Sequence, residues 1–258
     1  MKSSDSIRYR IAVVGAGGTG SHFVARFSQF LATFSSDRIA TEVVLIDGDV
    51  VEEKNLERQV FVAEDVLSNK AEALAKAVFE TYGLEFLSFP KYLDTDDDLA
   101  DAFSTLSDKV YAGGKSYQLI NVLIGCCDNH RCRQVMEAWF KKQTNAIYID
   151  AANEFSEGEV VTAIKVNSKL IAPPRSFYFP EVLKAKGKRR SEESCGVVNK
   201  TAPQHLATNA EAANIMLAIM SQLFSSGKIA GGVVYFDTFG FSKVFRRYEG
   251  GVTDDATN

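Results

Sequence analysis

The stretch that most constrains this chain is Arg10-Ile11-Ala12-Val13-Val14-Gly15-Ala16-Gly17-Gly18-Thr19-Gly20-Ser21, an apolar strand that runs straight into a glycine-rich turn. Gly15, Gly17 and Gly20 reproduce the G-x-G-x-x-G spacing. In that pattern one glycine makes the tight turn, one lets the backbone approach a phosphate, and one allows close helix–strand packing. The helix that follows presents unpaired N–H groups and a partial positive charge to the phosphate. A glycine-rich turn can also be purely structural, but a strand before it and a helix after it point to a nucleotide. Which nucleotide, and for what reaction, depends on residues further along.

Hydrophobic periodicity extends this unit into a sheet. Ser21 to Thr33 reads as a helix with Phe23, Phe27, Phe30 and Leu31 on one face. Thr41 to Ile46 is a β-branched apolar run stopping at Asp47-Gly48-Asp49, as a buried parallel strand ends in an acidic loop. Residues 50–69 are polar and irregular, Lys70 to Tyr82 is an alanine-rich helix, and Leu84 to Pro90 a third strand. An acidic helix is expected over Asp94 to Leu106, a glycine-containing connection over Ser107 to Tyr117, and a fourth strand over Leu119 to Ile124. A helix over Arg131 to Lys142 and a fifth strand over Ala146 to Asp150 complete the alternation.

Beyond Ala151 the texture changes. Glu159 to Val166 reads as a strand, and Ile171 to Ser194 as a Pro-, Lys- and Arg-rich segment with little regular structure. A long helix is expected from Thr201 or Pro203 to Gly227, burying Ala207, Ala210, Ala213, Ile215, Leu217, Ile219, Met220 and Leu223. Gly232 to Asp237 and Phe241 to Arg247 read as an antiparallel pair. The expected fold class is α/β: a Rossmann-like, mostly parallel sheet with helices on both faces, extended by C-terminal antiparallel strands. One continuous domain over 1–258 is expected, with a nucleotide-binding half at 1–150 and a second half at 151–258.

Composition narrows the function classes. A net charge of −4 argues against a general nucleic-acid surface, which needs Lys and Arg concentrated on one face. The N-terminus shows no basic-then-apolar signal, and no apolar run approaches the roughly 20 residues that span a bilayer, so a cytoplasmic protein is expected. Cys126, Cys127, Cys132 and Cys195 form no C-x-x-C pair, which suggests reduced thiols and neither a zinc ribbon nor a disulfide framework. Cys126 or Cys127 is expected to pack in the sheet, and His22, His130 and His205 to be structural or surface histidines.

Two further constellations carry chemistry. The first, Asp47-Gly48-Asp49-Val50-Val51-Glu52-Glu53-Lys54-Asn55-Leu56-Glu57-Arg58-Gln59 with Asn69-Lys70, places acids, hydrogen-bonding amides and cations beyond one strand end, where ligands bind in open α/β sheets. Arg58 can grip phosphate through its planar fork while Lys70 supplies a point charge. The alternative is a solvated polar loop with incidental ion pairs. The second is Cys127-Asp128-Asn129-His130-Arg131-Cys132-Arg133 after the fourth strand. Asp128 suits Mg²⁺, a hard cation that prefers carboxylate and phosphate oxygens, while Asp128 or Asn129 can equally cap the next helix.

Taken together, Gly15-x-Gly17-Gly18-x-Gly20, Asp47-x-Asp49-x-Val51-x3-Asn55-Leu56-x-Arg58-Gln59, Lys70 and Asp128-Asn129-x3-Arg133 resemble the ThiF-like, ubiquitin-activating-enzyme-like adenylyltransferases, the HesA/MoeB/ThiF family. Val233 to Asp237 with Phe241 to Tyr248 resembles that family's final strand pair, so the likeness covers nearly the whole chain. It implies attack by the C-terminal glycine carboxylate of a small ubiquitin-like, β-grasp protein on the α-phosphate of ATP, giving an acyl adenylate and pyrophosphate. By carry-over, Asp47 holds the ribose, Asn55, Arg58 and Lys70 the phosphates, and Asp128 the Mg²⁺. Gly15, Gly17, Gly18, Gly20, Asp49, Gln59 and Asn129 complete the expected nucleotide site. A carboxylate substrate is already ionised at neutral pH, so no general base is needed and catalysis is positioning and charge neutralisation.

The resemblance also assigns Cys195 a role, because members with a transferring cysteine carry it on the crossover loop, where it takes the acyl group as a thioester or persulfide. The basic run Lys184 to Arg190 would lower the pKa of such a thiol. The alternatives are a small buried residue beside a solvated loop. The zinc-holding C-x-x-C pairs of many members are absent, so no zinc is expected. The chain begins a few residues before its first strand, which leaves Arg8 or Arg10 as candidates for the arginine that other members extend into a partner subunit's ATP. Absence of zinc ligands, Ser194-Cys195 and Asn209 look closest to the plasmid-associated PRTRC ThiF branch, whose members are encoded near a ubiquitin-like protein and a JAB-type protease. A homodimer is implied, with a conjugating enzyme or sulfur-transfer protein as a further partner. Competing classes are an NAD-dependent Rossmann oxidoreductase, which leaves Asn55, Arg58, Lys70 and Asp128 unexplained, and a non-catalytic scaffold.

Overall fold

The structure is a computed structural model that describes residues 6–112, 115–186 and 205–250. Its frame is one ten-stranded sheet. The strands are β1 (Ser6–Val14), β2 (Ile39–Ile46), β3 (Leu87–Phe89), β4 (Tyr111–Ala112), β5 (Lys115–Gly125), β6 (Ala146–Asn153), β7 (Glu157–Val166), β8 (Lys169–Ala172), β9 (Gly232–Asp237) and β10 (Ser242–Arg247). They lie in the order β10-β9-β7-β6-β5-β1-β2-β3, with β4 on β5 and β8 on β7. β3, β2, β1, β5 and β6 pair in parallel, while β7, β9 and β10 extend the sheet antiparallel.

The continuous apolar runs of β1 and β2 follow from burial on both faces. Tyr9, Ile11 and Val13 with Val43 and Leu45 join one core, and the alternating residues Ala12, Val14, Val44 and Ile46 join the other. The first core lies beneath α1 (Gly18–Thr33), α2 (Lys70–Tyr82) and α7 (Leu206–Ser226). Its densest part is aromatic: Phe27, Phe30 and Phe34 each set an edge against Phe224, which stacks on Tyr9 at 4.9 Å. The second core lies beneath α3 (Asp96–Ser104) and α4 (His130–Lys142), where Phe103 stacks on Trp139 at 4.3 Å.

Several boundaries differ from the sequence expectation, each for a physical reason. Helix α1 begins at Gly18, inside the glycine loop, three residues ahead of the expected start at Ser21. β5 starts at Lys115, inside the expected connection over Ser107 to Tyr117, because Lys115 and Ser116 pair with β4 before Tyr117 to Gly125 pair in register with β1. The expected irregular segment after Ile171 instead contains β8 and two short helices, α5 (Arg175–Tyr178) and α6 (Glu181–Lys184). Tertiary contacts order it despite its turn-rich composition: the Gln134 amide donates to Val182 O and Ala185 O, and Glu137 accepts from Ser176. On α7 the buried stripe includes Thr208 and Asn209, whereas Ala207 is exposed and Leu217 and Ile219 are half-buried. Thr201, Pro203, Cys195 and most of the basic run, Gly187 to Arg190, lie outside the described residues.

Candidate active site

In an open parallel sheet a ligand cleft forms outside the carboxyl ends of the strands, where the strand order reverses direction. Here that point lies between β1 and β5, neighbours in the sheet but far apart in the chain. A cavity of about 920 Å³ opens there. It gathers Gly15, Gly17, Gly18, Asp47, Asp49, Asn55, Arg58, Gln59, Lys70, Asp128 and Asn129 on its walls. Gly20 is absent from its lining.

The glycines divide their tasks. Gly15 has φ +93°, a left-handed conformation that favours glycine, and an added Cβ would come within 2.9 Å of the Cys126 carbonyl. A Cβ on Gly20 would collide with the Gly15 carbonyl oxygen at 1.8 Å, so that position is fixed by loop–helix packing. A Cβ on Gly18 would lie 2.3 Å from Asn209 Nδ2, so its missing side chain makes room for α7. Only at Gly17, among these four, would a Cβ meet no described atom within 4 Å. It caps α1 and leaves that helix's N-terminus open to the cavity.

The β2 end forms the acidic wall. Asp47 accepts from Ala16 N–H at 2.6 Å and Asp49 N–H at 2.8 Å, which ties the glycine loop to the end of β2. Burial holds the Asp47 carboxyl above its ordinary value; Lys70 pulls against that shift and Asp49 adds to it. Asp49 pairs with Lys70 Nζ at 3.3 Å and accepts from Tyr92 Oη at 2.6 Å. Asn69 caps α2 by accepting from Ala71 and Glu72 N–H, and its amide donates to Asp47 O and Asp49 O. Lys70, only 6% exposed, thus enters the cavity from the first position of a well-anchored helix.

The loop between β2 and α2 is also ordered. A 3-10 turn over Glu53–Asn55 is closed by Asn55 Oδ1, which accepts from Glu52 N–H at 2.9 Å. Val60 N–H donates to Ser21 Oγ at 3.1 Å and so docks the loop carrying Arg58 and Gln59 against α1. Gln59 is buried with its Oε1 unpartnered among the described residues, an acceptor available to a ligand.

Across the cavity, Asn129 rather than Asp128 caps α4, accepting from Cys132 N–H at 2.7 Å. Asp128 is exposed on the cavity wall. No group of three or more metal-ligating side chains occurs among the described residues. One carboxylate beside a phosphate site fits Mg²⁺, which takes one or two protein carboxylates and completes its shell with phosphate oxygens and water. Cys126 and Cys132 are pushed up from ordinary thiol values, Cys126 by burial and Cys132 by a hydrogen bond to Cys127 and burial, so neither is poised as a nucleophile.

A charged cluster that the sequence did not disclose supports the far wall. Asp150, wholly buried, pairs with Arg175 and with Arg133 Nε at 3.5 Å, and Arg175 also reaches Glu159 at 2.5 Å. Arg133 further donates to Cys127 O at 2.8 Å and Ala151 O at 3.2 Å, joining the ends of β5 and β6. Only Arg133 belonged to a recognised motif. Arg175 sat in a Pro-rich stretch without helical or strand periodicity, and Asp150 looked like any strand end.

No curated protein sequence matches the chain. Among solved structures, the fold is similar to PaaA, with a TM-score of 0.61, 15% identity and coverage of 93% of this chain and 64% of that one. It is also similar to E. coli MccB with AMPCPP and MccA, at a TM-score of 0.62, 16% identity and coverage of 96% and 65%. MccB with ATP gives a TM-score of 0.60 at 16% identity, covering 93% and 63%. The chain therefore spans just under two thirds of the length of these proteins, and at such identities the likeness is one of fold. The ThiF family's sequence profile matches residues 4–250, and with most of the same motif residues gathered around one cavity, this chain belongs to the ThiF family.

Proposed function

We propose that the protein activates a C-terminal carboxylate by adenylylation, and that its substrate is a small ubiquitin-like protein ending in glycine. The observation that supports this most directly is the single cavity joining the open α1 N-terminus at Gly17, the ordered Asn55–Arg58–Gln59 loop, Lys70 and Asp128. The glycine loop would also suit a dinucleotide's pyrophosphate, but hydride transfer leaves Asn55, Arg58, Lys70 and Asp128 unexplained, and the family membership favours adenylylation. In this reading Asp47, held by two backbone N–H groups, accepts from the ribose, and Asn55, Arg58 and Lys70 hold the phosphates. Mg²⁺ at Asp128 would neutralise charge on the polyphosphate as pyrophosphate leaves. The substrate carboxylate attacks the α-phosphate without a general base, and the chain's work is to fix both reactants and offset their repulsion.

After the adenylate forms, the Cys195 thiolate takes the acyl group as a thioester and releases AMP, or serves a sulfur-transfer or conjugating partner. The protein acts as a homodimer, with Arg8 or Arg10 as candidates to reach the other subunit. Arg8 pairs with Glu42 at 2.5 Å and Arg10 donates to the Phe103 carbonyl, so either would exchange these partners to do so. The MccB structures, which hold MccA with AMPCPP in one case, favour a second substrate reading of the MccA kind.

The test is ATP–pyrophosphate exchange. Exchange that requires both Mg-ATP and a β-grasp protein ending in glycine supports the first substrate class. Exchange with MccA and not with that protein replaces it by the second. Folded protein that is stabilised by NADH but not by Mg-ATP, and shows no exchange with either, overturns adenylylation altogether. Loss of a thiol-sensitive adduct in Cys195→Ala, with exchange retained, checks the transfer step.

A further inference from the structure

The first turn of α7 contains two fully buried polar residues, Thr208 and Asn209, each 0% exposed on an otherwise apolar face. They are adjacent but tied to different things. Thr208 Oγ1 donates to Phe155 O at 2.6 Å and lies 3.2 Å from the Thr238 hydroxyl, so it pins the turns after β6 and β9. Asn209 points the other way. Its Oδ1 accepts from Asn153 Nδ2 at 2.8 Å and from Thr19 Oγ1 at 3.4 Å, and the Thr19 hydroxyl also reaches Asn153 Oδ1 at 2.9 Å.

Thr19 and Asn153 line the cavity, and Thr19 is the second residue of α1, directly behind Gly17 and Gly18. Asn209 Nδ2 packs onto Gly18 so closely that any side chain there would overlap it, and it has no hydrogen-bond partner among the described residues. A buried donor left unpaired costs roughly 1–3 kcal/mol. An apolar residue of similar size would remove that donor but also the acceptor that Asn153 Nδ2 and Thr19 Oγ1 share, so the role of the asparagine lies in those bonds to two residues of the cavity wall.

We infer that Asn209 is a positioning residue for the nucleotide: through Thr19, Asn153 and the glycine at 18, it sets the α1 N-terminus at the place where it meets the phosphates. This rests on the ATP-binding reading above. It divides the doubled glycine into one position open to the ligand, Gly17, and one shaped for Asn209, Gly18. It also places a side chain from far along the sequence in control of the glycine loop, without touching the ligand itself.

The neighbouring threonine provides the control. Calorimetric titration of the full chain with Mg-ATP, without a protein substrate, gives the affinity, and thermal unfolding gives the stability. Asn209→Leu should weaken Mg-ATP binding about tenfold, the scale of one lost hydrogen bond. Thr208→Val should lower the melting temperature yet leave the affinity within about twofold, because its hydrogen bonds do not reach the loop. If Asn209→Leu does not fold, Asn209→Ser, which keeps the helix and shortens the reach to Asn153 and Thr19, should show the same shift.

Gly18→Ala should weaken binding strongly by itself. Combined with Asn209→Ala, which vacates the space a new methyl would enter, it should bind no worse than Asn209→Ala alone. Wild-type affinity in the Asn209 variants, equal shifts for Asn209→Leu and Thr208→Val, or fully additive effects of Gly18→Ala and Asn209→Ala would each overturn the inference while leaving ATP binding intact. No Mg-ATP binding by the wild-type chain would overturn the proposed function and this inference together.

Discussion

The two walls of the cavity are built in opposite ways. The β2 wall, with Asp47, Asp49, Asn69 and Lys70, uses residues from one continuous stretch of chain, the β2 end and the start of α2, joined to each other by hydrogen bonds and an ion pair, with Asp47, Asp49 and Asn69 left partly open to solvent. The β6 wall uses Arg133, Asp150, Glu159 and Arg175, from four separate elements, with three of the four nearly or wholly withdrawn from water. Burial makes the second set depend on complete pairing, since a lone charge in a low-dielectric interior is expensive. The first set can exchange its hydrogen bonds for those of a ligand at modest cost. One wall is therefore suited to binding and the other to holding the frame.

Substitutions can break this contrast. The largest effect is expected at Arg175: Arg175→Met strips the principal partner from Asp150, and urea unfolding should show a loss of about 3–5 kcal/mol. A loss below about 1 kcal/mol would mean that water reaches Asp150 and that the two walls differ less than they look. Asp128→Ala should do the reverse, reducing exchange by about 10²- to 10³-fold with an unchanged unfolding midpoint, because its exposed carboxylate supports no other described element.

Asp47 sharpens the comparison through pH. Its carboxyl is held above the ordinary value, so the folded state binds this proton more readily than the unfolded chain does. The stability linked to this group is fully present below the unfolded value and is lost as pH rises through the raised folded value. In the proposed role Asp47 accepts from the ribose in its ionised form, so the dependence of ATP affinity runs oppositely: binding should weaken as pH falls through that raised value. Asp47→Asn should lower the affinity by about tenfold or more and abolish this component of its pH dependence, read by titration across the acidic range. The smallest effect belongs to Lys54, exposed and paired with Glu52 at 2.6 Å, where Lys54→Ala should change stability by less than about 0.5 kcal/mol.

The same contrast governs what could be read from the chain. The β2 wall was legible because its groups recur at fixed short spacings: Asp47 and Asp49 at a strand end, then Asn55, Arg58 and Gln59, then a capped helix opening with Lys70. Tyr92, which donates to Asp49 and packs its ring where a Gly48 side chain would be, is not legible from the chain, because one tyrosine after a short strand has no distinguishing pattern. On the other wall, Arg133 was visible only as part of a motif and Arg175 not at all. Periodicity reports which face of an element is buried and carries no information on which distant charge will meet it there.

Local sequence was sufficient to determine the parallel sheet and its extension, since strand runs, acidic strand ends, helix caps and the left-handed turn at Gly15 are set by interactions within a few residues. It also determined where the ligand cleft opens, because the strand order of such a sheet leaves a gap at its carboxyl edge. Tertiary structure alone decided that Gly18 is a glycine for Asn209, that Asp150 is neutralised by two arginines, and that residues 169–186 are ordered. Each of these depends on atoms brought together from distant points of the chain, where shape and desolvation replace spacing as the controlling terms.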